Sequence, residues 1–187
     1  MMRLGKRVVS LAFCGGFAAL VGLFAADHAW ADTTTEVVTP AIQGDVLLSI
    51  SRMDDDSATK QLTLEDLQGF TAETFETTTI WTTGPQSFTG VPLKELLTHF
   101  DVTDGSAGFT IEARAVNDYM VEIPMTDATA GGPIVAYLRN GKTMSLRGKG
   151  PLWVVYPYDS NAAFRTEAVY SRSIWQLDSL TLKPISE

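Results

Sequence analysis

The alternation of apolar and polar residues predicts a chain built mainly of short strands. Apolar or β-branched residues recur at every second position, or form short continuous runs, in six segments. These predicted strands span 46–51, 74–81, 109–116, 119–123, 152–156 and 177–183. A further pair, 134–138 and 143–146, flanks Asn140-Gly141, a dipeptide that favours a tight hairpin turn.

Helical patterns are fewer and shorter. Residues 63–66 read Thr-Leu-Glu-Asp, which resembles a capping box with Asp in place of Glu and predicts a helix ending near Gly69. A second helix is expected from Val91-Pro92 to His99, because Leu93, Leu96, Leu97 and Phe100 form one apolar face. Residues 54–57 are predicted to form a turn. Many strands with two or three short helices indicate an α+β domain dominated by sheet.

The first 31 residues are typical of a cleaved secretory signal peptide. Arg3, Lys6 and Arg7 precede an uncharged apolar run, and Ala29-Trp30-Ala31 places small residues at the −3 and −1 positions of a cleavage site. The apolar run, 11–26, is shorter than the roughly 20 residues that span a bilayer, which disfavours a retained anchor. The expected organisation is a signal peptide (1–31), a flexible tail (32–43) and one domain (44–187).

Composition excludes several classes of function. The net charge of −8 disfavours nucleic-acid binding, since no basic surface is available to neutralise phosphates. Cys14, the only cysteine, lies within the expected signal peptide, and His99 is the only histidine after it. The mature domain is therefore expected to contain no disulfide, no thiolate nucleophile and no zinc site with several histidines. His99 lies near a helix C-terminus, where a structural role outweighs a catalytic one.

Four segments resemble, in order, the sulfite-oxidase-type molybdopterin-binding domain. The first is Phe88-Thr-Gly-Val-Pro-Leu-Lys-Glu-Leu-Leu97, the helix entry. Asn117-Asp-Tyr119 with Glu122-Ile-Pro124 is similar to the central segment. Asn140-Gly141 and residues 150–157 resemble the Gly-Pro-Leu strand, and residues 171–180 resemble the final site loop. The resemblance covers residues 44–184 and implies a mixed, sheet-rich sulfite-oxidase-like fold with a few short helices.

One departure from that family concerns the metal. Its enzymes hold molybdenum through a cysteine thiolate, which by motif order should fall between Phe75 and Trp81. Residues 77–81 here read Thr-Thr-Thr-Ile-Trp, and a threonine hydroxyl is a poor substitute for a soft thiolate. Molybdenum is therefore not expected.

The chain looks most like the short periplasmic pterin-binding proteins of this fold. Those proteins bind a reduced pterin, such as a monapterin-type ligand, without metal. They are implicated in relaying pterin status to an inner-membrane diguanylate cyclase/phosphodiesterase, which makes and degrades cyclic di-GMP. The resemblance implies a ligand sensor in the periplasm, with no required cofactor, whose partner is the periplasmic domain of such an enzyme. The alternatives are a molybdopterin-dependent oxidoreductase or redox subunit, and an interaction domain with a vestigial pocket.

A pterin is a flat ring with a donor edge, formed by the 2-amino group and N3–H, beside the acceptor O4. Trp81 is the first candidate to stack on the ring, with core packing as the equal alternative. Asn117, Asp118 and Tyr119 lie on a bend between two strands, and Asp118 could accept from the donor edge, although a plain turn would explain the pair.

Further candidates come from three other segments. The resemblance implies that Arg172 and Ser173 contact the ligand, whereas a surface salt bridge is the other explanation for Arg172. Arg147, in the loop that reads Arg-Gly-Lys-Gly, could close over the ligand. Tyr158 and Asp159 follow the buried strand and could form the pocket rim, while Trp153 within that strand is expected in the core.

Overall fold

The computed structural model describes residues 44–99 and 108–185, apart from the side chains of 55–58. The expected signal peptide, the expected tail and Phe100 lie outside the described residues. Numbered in chain order, the strands are β1 Val46–Arg52, β2 Asp55–Thr63, β3 Glu73–Thr77, β4 Gln86–Pro92, β5 Phe109–Ala115, β6 Met120–Pro124, β7 Ile134–Arg139, β8 Lys142–Thr143, β9 Trp153–Val155 and β10 Leu177–Pro184. The α-helices are α1 Leu64–Gln68, α2 Leu93–Thr98 and α3 Glu167–Arg172, and 3₁₀ helices span Met125–Asp127, Leu146–Gly148 and Ala162–Phe164.

The strands form two sheets. The first has the order β2-β1-β10-β5-β6 and is mixed, because β1 and β10 pair in parallel while the other neighbours are antiparallel. The second has the order β3-β4-β7-β8, with β9 also paired to β7, and is antiparallel. Both sheets contribute fully buried apolar side chains to one core cluster, among them Ile50, Leu180, Val91 and Trp153. The α+β, sheet-rich fold is therefore as predicted.

Several local predictions are confirmed. Thr63 caps α1 with a complete capping box, in which Asp66 N donates to Thr63 Oγ1 at 3.2 Å and Thr63 N donates to the Asp66 carboxylate at 2.8 Å. Asn140 and Gly141 have φ values of +52° and +73°, as the tight turn between β7 and β8 requires. Leu93, Leu96 and Leu97 of α2 are buried, and so is Trp153.

Three predictions of secondary structure are wrong. The expected turn at 54–57 is short, because the chain reverses at 53–54 and Asp55 already begins β2, which the sequence pattern missed. The expected strand 74–81 ends at Thr77, since residues 78–82 form a loop held by distant hydrogen bonds. The helix α3 was not predicted. Within the described residues, no helix combines the length and the apolar character needed to cross a membrane.

Candidate functional site

A cavity of about 430 Å³ lies at one end of the mixed sheet, a volume within the usual range for small-molecule sites. It is formed by the β5–β6 bend, the loop before β4, helix α3 and the entry to β10. Its lining consists of Trp81, Ala115, Asn117, Tyr119, Glu167, Tyr170, Ser171, Ser173, Ile174 and Trp175. Four of these ten residues are aromatic and four are polar, a combination that suits a flat heterocycle with polar edges.

Trp81 lies at the centre of an aromatic cluster that joins the cavity to the core. Its ring centroid is 5.5 Å from that of Trp175, 5.9 Å from Tyr170 and 5.8 Å from the fully buried Trp153, in edge-to-face geometry. Each such pair contributes about 0.5–1.5 kcal/mol beyond the burial of area. Trp81 thus lines the cavity and also packs against the core. The sequence suggested either a stacking residue or a core residue, and the position of Trp81 is compatible with both.

Asp159 holds the loop that carries Trp81. Its carboxylate accepts from the backbone N of Thr78 at 2.6 Å and from Thr78 Oγ1 at 2.8 Å, and its own N donates to Thr77 Oγ1 at 3.1 Å. Hydrogen bonds from Thr78 keep the pKa of Asp159 below its usual value. Asp159 does not line the cavity, in contrast to its expected place at the pocket rim. It acts through the position of Trp81, whose N donates to Thr79 Oγ1 within the same loop.

Helix α3 is held by a carboxylate shared between two partners. Asp127 accepts from Arg172 Nη1 at 3.0 Å and from the Tyr156 hydroxyl at 2.7 Å. Tyr156 is fully buried, and this burial, together with the Asp127 carboxylate, raises its pKa. Arg172 was expected to contact the ligand, but it is not part of the cavity lining and its guanidinium is paired with Asp127.

Ser173 and Tyr158 form a buried pair behind the cavity. Ser173 lines the cavity, and its Oγ donates to the carbonyl of Val169 at 2.9 Å and accepts from the Tyr158 hydroxyl. Burial raises the pKa of Tyr158. Tyr158 lies outside the lining, so the expected contact of its ring with a ligand is replaced by support of Ser173.

The β5–β6 bend contributes two of its three candidates. Asn117 and Tyr119 line the cavity, and Tyr119 is 54% exposed. Asp118 lies between them with φ +62°, and its carboxylate pairs with Arg114 Nη1 at 3.2 Å. Its side chain is 84% exposed and is not part of the cavity lining.

Sequence reasoning missed the contact of Lys149 with the tryptophan cluster, although Lys149 is not part of the cavity lining. The Lys149 Nζ lies 3.5 Å from the Trp175 ring centroid and 5.5 Å from that of Trp153. Burial, and to a lesser extent the charge of Arg139, lowers the pKa of Lys149. Arg147 is exposed on its 3₁₀ helix and does not line the cavity. The signal was present in the Arg-Gly-Lys-Gly loop, but the left-handed φ of +75° that directs Lys149 inward is not visible in a sequence.

Sequence reasoning also missed Glu167, Tyr170 and Trp175 as lining residues. Trp175 belongs to the segment 171–180 that carried the family resemblance, so that motif was the available signal. Glu167 and Tyr170 belong to α3, which was not predicted. Glu167 carries the only charge among the residues that line the cavity.

The loop where the resemblance places a metal-binding cysteine has no soft ligand. The hydroxyl of Thr77 accepts from Asp159 N, that of Thr78 donates to Asp159, and that of Thr79 is shared by Thr82 and Trp81 N. Across 44–99 and 108–185, no three His, Cys, Asp or Glu side chains are grouped so that they could hold a metal ion. These donors do not fit a thiolate-bound metal at this position.

Comparison with known proteins identifies the family. Residues 38–162 match the model of the oxidoreductase molybdopterin binding domain. The sequence has no match among curated proteins. Among solved structures, the fold is similar to the sulfane dehydrogenase SoxCD from Paracoccus pantotrophus, with a TM-score of 0.53 and 18% identity over 76% of this chain and 40% of that chain. This chain therefore spans well under half of that protein, and the likeness shows the fold. The family model covers most of the sequence, and the protein belongs to the oxidoreductase molybdopterin-binding domain family, with its sulfite-oxidase-like fold.

Proposed function

We propose that this protein is a metal-free pterin-binding protein of the periplasm. Its ligand would be a reduced pterin of the monapterin type. Its partner would be the periplasmic domain of an inner-membrane enzyme that makes and degrades cyclic di-GMP. The observation that carries the proposal is the cavity itself, which is lined by four aromatic side chains, one of them on a threonine-rich loop at the position where the resemblance implies a thiolate in the family's enzymes.

The contacts available in the cavity are sufficient for useful affinity. The four aromatic side chains, Trp81, Tyr119, Tyr170 and Trp175, offer faces or edges to a flat ring. Stacking contributes about 0.5–1.5 kcal/mol per aromatic contact beyond area burial, and a charge-assisted hydrogen bond contributes about 1.5–3 kcal/mol. A few such contacts reach the roughly −8 kcal/mol that corresponds to micromolar binding.

Calorimetric titration of the purified protein with tetrahydropterins tests ligand binding. We expect micromolar or tighter affinity, and a loss of about tenfold or more for Trp81→Ala and for Trp175→Ala, because each removes an aromatic wall. Phe109→Leu is the matched control, since Phe109 lies at the far end of β5 and packs against Arg52. Absence of binding to every reduced pterin would exclude the proposed function. Normal binding by both tryptophan variants would instead exclude this cavity.

The relay step is tested with the periplasmic domain of an inner-membrane cyclic-di-GMP enzyme from the same organism. We expect its affinity for this protein to differ between the pterin-bound and pterin-free states, because a sensor must transmit occupancy. Equal affinity in both states would indicate an interaction domain whose pocket carries no signal.

A molybdopterin-dependent oxidoreductase, or a redox subunit of one, is the second candidate, and the family match favours it. The donor groups described above argue against metal ligation at the expected position. Metal analysis of protein purified from its native compartment separates the two candidates. Stoichiometric molybdenum would replace the sensor proposal with this one.

A further inference from the structure

Glu167 is placed to select the ligand of the cavity. It is the first residue of α3, whose start is fixed by Thr166, since Val169 N donates to Thr166 Oγ1 at 3.3 Å and Tyr170 N donates to the carbonyl of Thr166 at 3.0 Å. Within the described part of the chain, no cation or hydrogen-bond donor engages the Glu167 carboxylate, whereas Asp118, Asp127 and Asp159 each have a partner. Glu167 is exposed, so water solvates its carboxylate in the free protein and a ligand that enters the cavity can replace that water.

The surroundings of Glu167 restrict the ligand's chemistry. The other polar side chains of the lining, Asn117, Ser171 and Ser173, are neutral, and most of the remaining wall is aromatic. The Ser173 hydroxyl is already engaged with Tyr158 and Val169. An ionised carboxylate has two acceptor oxygens and no donor, so its best complement is a planar group with two parallel N–H bonds.

We infer that Glu167 accepts from an amino group and an adjacent ring N–H, and that the cavity thereby selects ligands with a 2-amino-4-oxopyrimidine ring. This inference rests on the proposed function, because it names the edge of the pterin that the protein reads. The same edge occurs in guanine, so the recognised chemistry is shared by reduced pterins and guanine-type purines. A ring with oxygen in place of the 2-amino group presents an acceptor to the carboxylate and is rejected.

The experiment measures the affinity of three ligands for the wild-type protein by calorimetry. The ligands are a tetrahydropterin, the corresponding tetrahydrolumazine with oxygen at position 2, and guanine. We expect the pterin to bind about 10- to 100-fold more tightly than the lumazine, which is the range that a charge-assisted hydrogen bond and its repulsive replacement supply. Guanine shares the aminopyrimidine ring with the pterin but has a different second ring, so it tests whether that second ring contributes to affinity. Weaker binding of guanine would indicate that the cavity prefers pteridines.

Glu167→Gln removes the charge but keeps the shape of the side chain. We expect it to weaken pterin binding about 10- to 100-fold and to reduce the preference over lumazine to within about threefold, because the amide offers one acceptor and can donate to a 2-oxo group. Glu65→Gln on α1 is the matched control, as it makes the same change on an exposed helix position that does not line the cavity. Thermal unfolding of both variants verifies that the fold is kept.

The outcomes separate this inference from the proposed function. If the wild-type protein binds neither pteridine nor guanine, the proposed function fails and this inference fails with it. If it binds tetrahydropterin and Glu167→Gln keeps the affinity and the preference, the inference is overturned while pterin binding stands. If guanine alone binds, and Glu167→Gln abolishes that binding, the inference is supported and pterin is excluded as the occupant.

Discussion

Asp127→Ala would show whether the shared carboxylate fixes the cavity wall that α3 provides. Asp127 accepts from the Tyr156 hydroxyl at 2.7 Å and from Arg172 at 3.0 Å, and it does not itself line the cavity. Tyr156 is fully buried, whereas the side chains of Arg172 and Asp127 are 28% and 17% exposed. Removing the carboxylate therefore leaves one hydroxyl without a partner in the interior and one guanidinium partly solvated.

The magnitude follows from those exposures. A buried hydroxyl without a partner costs about 1–3 kcal/mol. The partly solvated ion pair adds about 1 kcal/mol, well below the value for a fully buried pair, because water screens Arg172. We expect a total of about 2–4 kcal/mol in the free energy of unfolding. A domain with a typical stability of about 5–15 kcal/mol remains folded after this loss.

Urea unfolding, followed by tryptophan fluorescence, measures the loss. Tyr156→Phe is the matched variant, since it removes only the hydroxyl, and the double variant completes a cycle in which we expect a coupling energy of about 1–2 kcal/mol. Asp127→Ala should also weaken pterin binding, because Arg172 ends the helix that carries Tyr170. Single losses below about 0.5 kcal/mol with no coupling would refute this account of the cluster.

Three further predictions concern the fold that supports the cavity. Asp159→Asn should cost about 1 kcal/mol at pH 7, a value reduced for exposure. Hydrogen bonds from Thr78 depress the folded pKa of Asp159, so its stabilisation exists above the unfolded pKa of about 4 and is lost as the pH falls through the folded value. The urea midpoints of variant and wild type should therefore differ at pH 7 and converge in acid. Equal midpoints at pH 7, or a difference that persists in acid, would contradict this role of the ionised carboxylate. Gly90→Ala places a Cβ against the backbone of Val135 and Ala136 and should lower the unfolding free energy by more than about 2 kcal/mol in urea. An unchanged midpoint would mean that the strands can separate locally. Thr63→Ala removes the capping box and should lower the unfolding free energy by about 1 kcal/mol, an effect that Thr63→Ser should largely reverse.

The elements that were predicted correctly are those determined by residues close together in the sequence. Asn140-Gly141 needs only its own two positive φ values to form a turn, and the apolar spacing of Leu93, Leu96 and Leu97 orients α2 without reference to distant residues. The capping box of α1 is complete within four residues. Each of these features is contained in a window of the sequence, so its pattern is sufficient.

The errors arise where distant residues decide the structure. Thr78 is β-branched, as is typical of strands. However, its backbone N–H donates to the carboxylate of Asp159, 81 positions later, and so is not available for pairing with a neighbouring strand. The strand β2 lies at a sheet edge, where pairing with β1 alone allows a polar sequence that shows little alternation. Helix α3 is as short as α2, but its apolar residues are consecutive (168–170) and do not follow the helical spacing, so the cap at Thr166 is the signal of its start.

The candidate site divides in the same way. Trp81, Asn117, Tyr119 and Ser173 line one cavity although they come from separate elements, and the ordered resemblance to a family brought them together before the structure did. The charged candidates do not line the cavity, because the position of a charged side chain depends on the partner with which it pairs. Asp118 pairs with Arg114, while Arg172 and Asp159 are engaged with Asp127 and Thr78. Charged residues in a motif therefore require a partner search in three dimensions before a ligand role is assigned.

The hydroxyl groups of the threonine loop position the aromatic wall of the cavity. Thr79 Oγ1 accepts from Trp81 N at 3.1 Å and lies 2.8 Å from Thr82 Oγ1, so the hydroxyl positions the aromatic wall directly. A cysteine at this position would exchange a strong acceptor for a weak one and would loosen Trp81. Thr77 and Thr78 are equally committed through Asp159. The three hydroxyl groups are thus committed to holding this loop and its aromatic side chain, so a thiol in place of any of them would remove a contact that positions Trp81 or its loop.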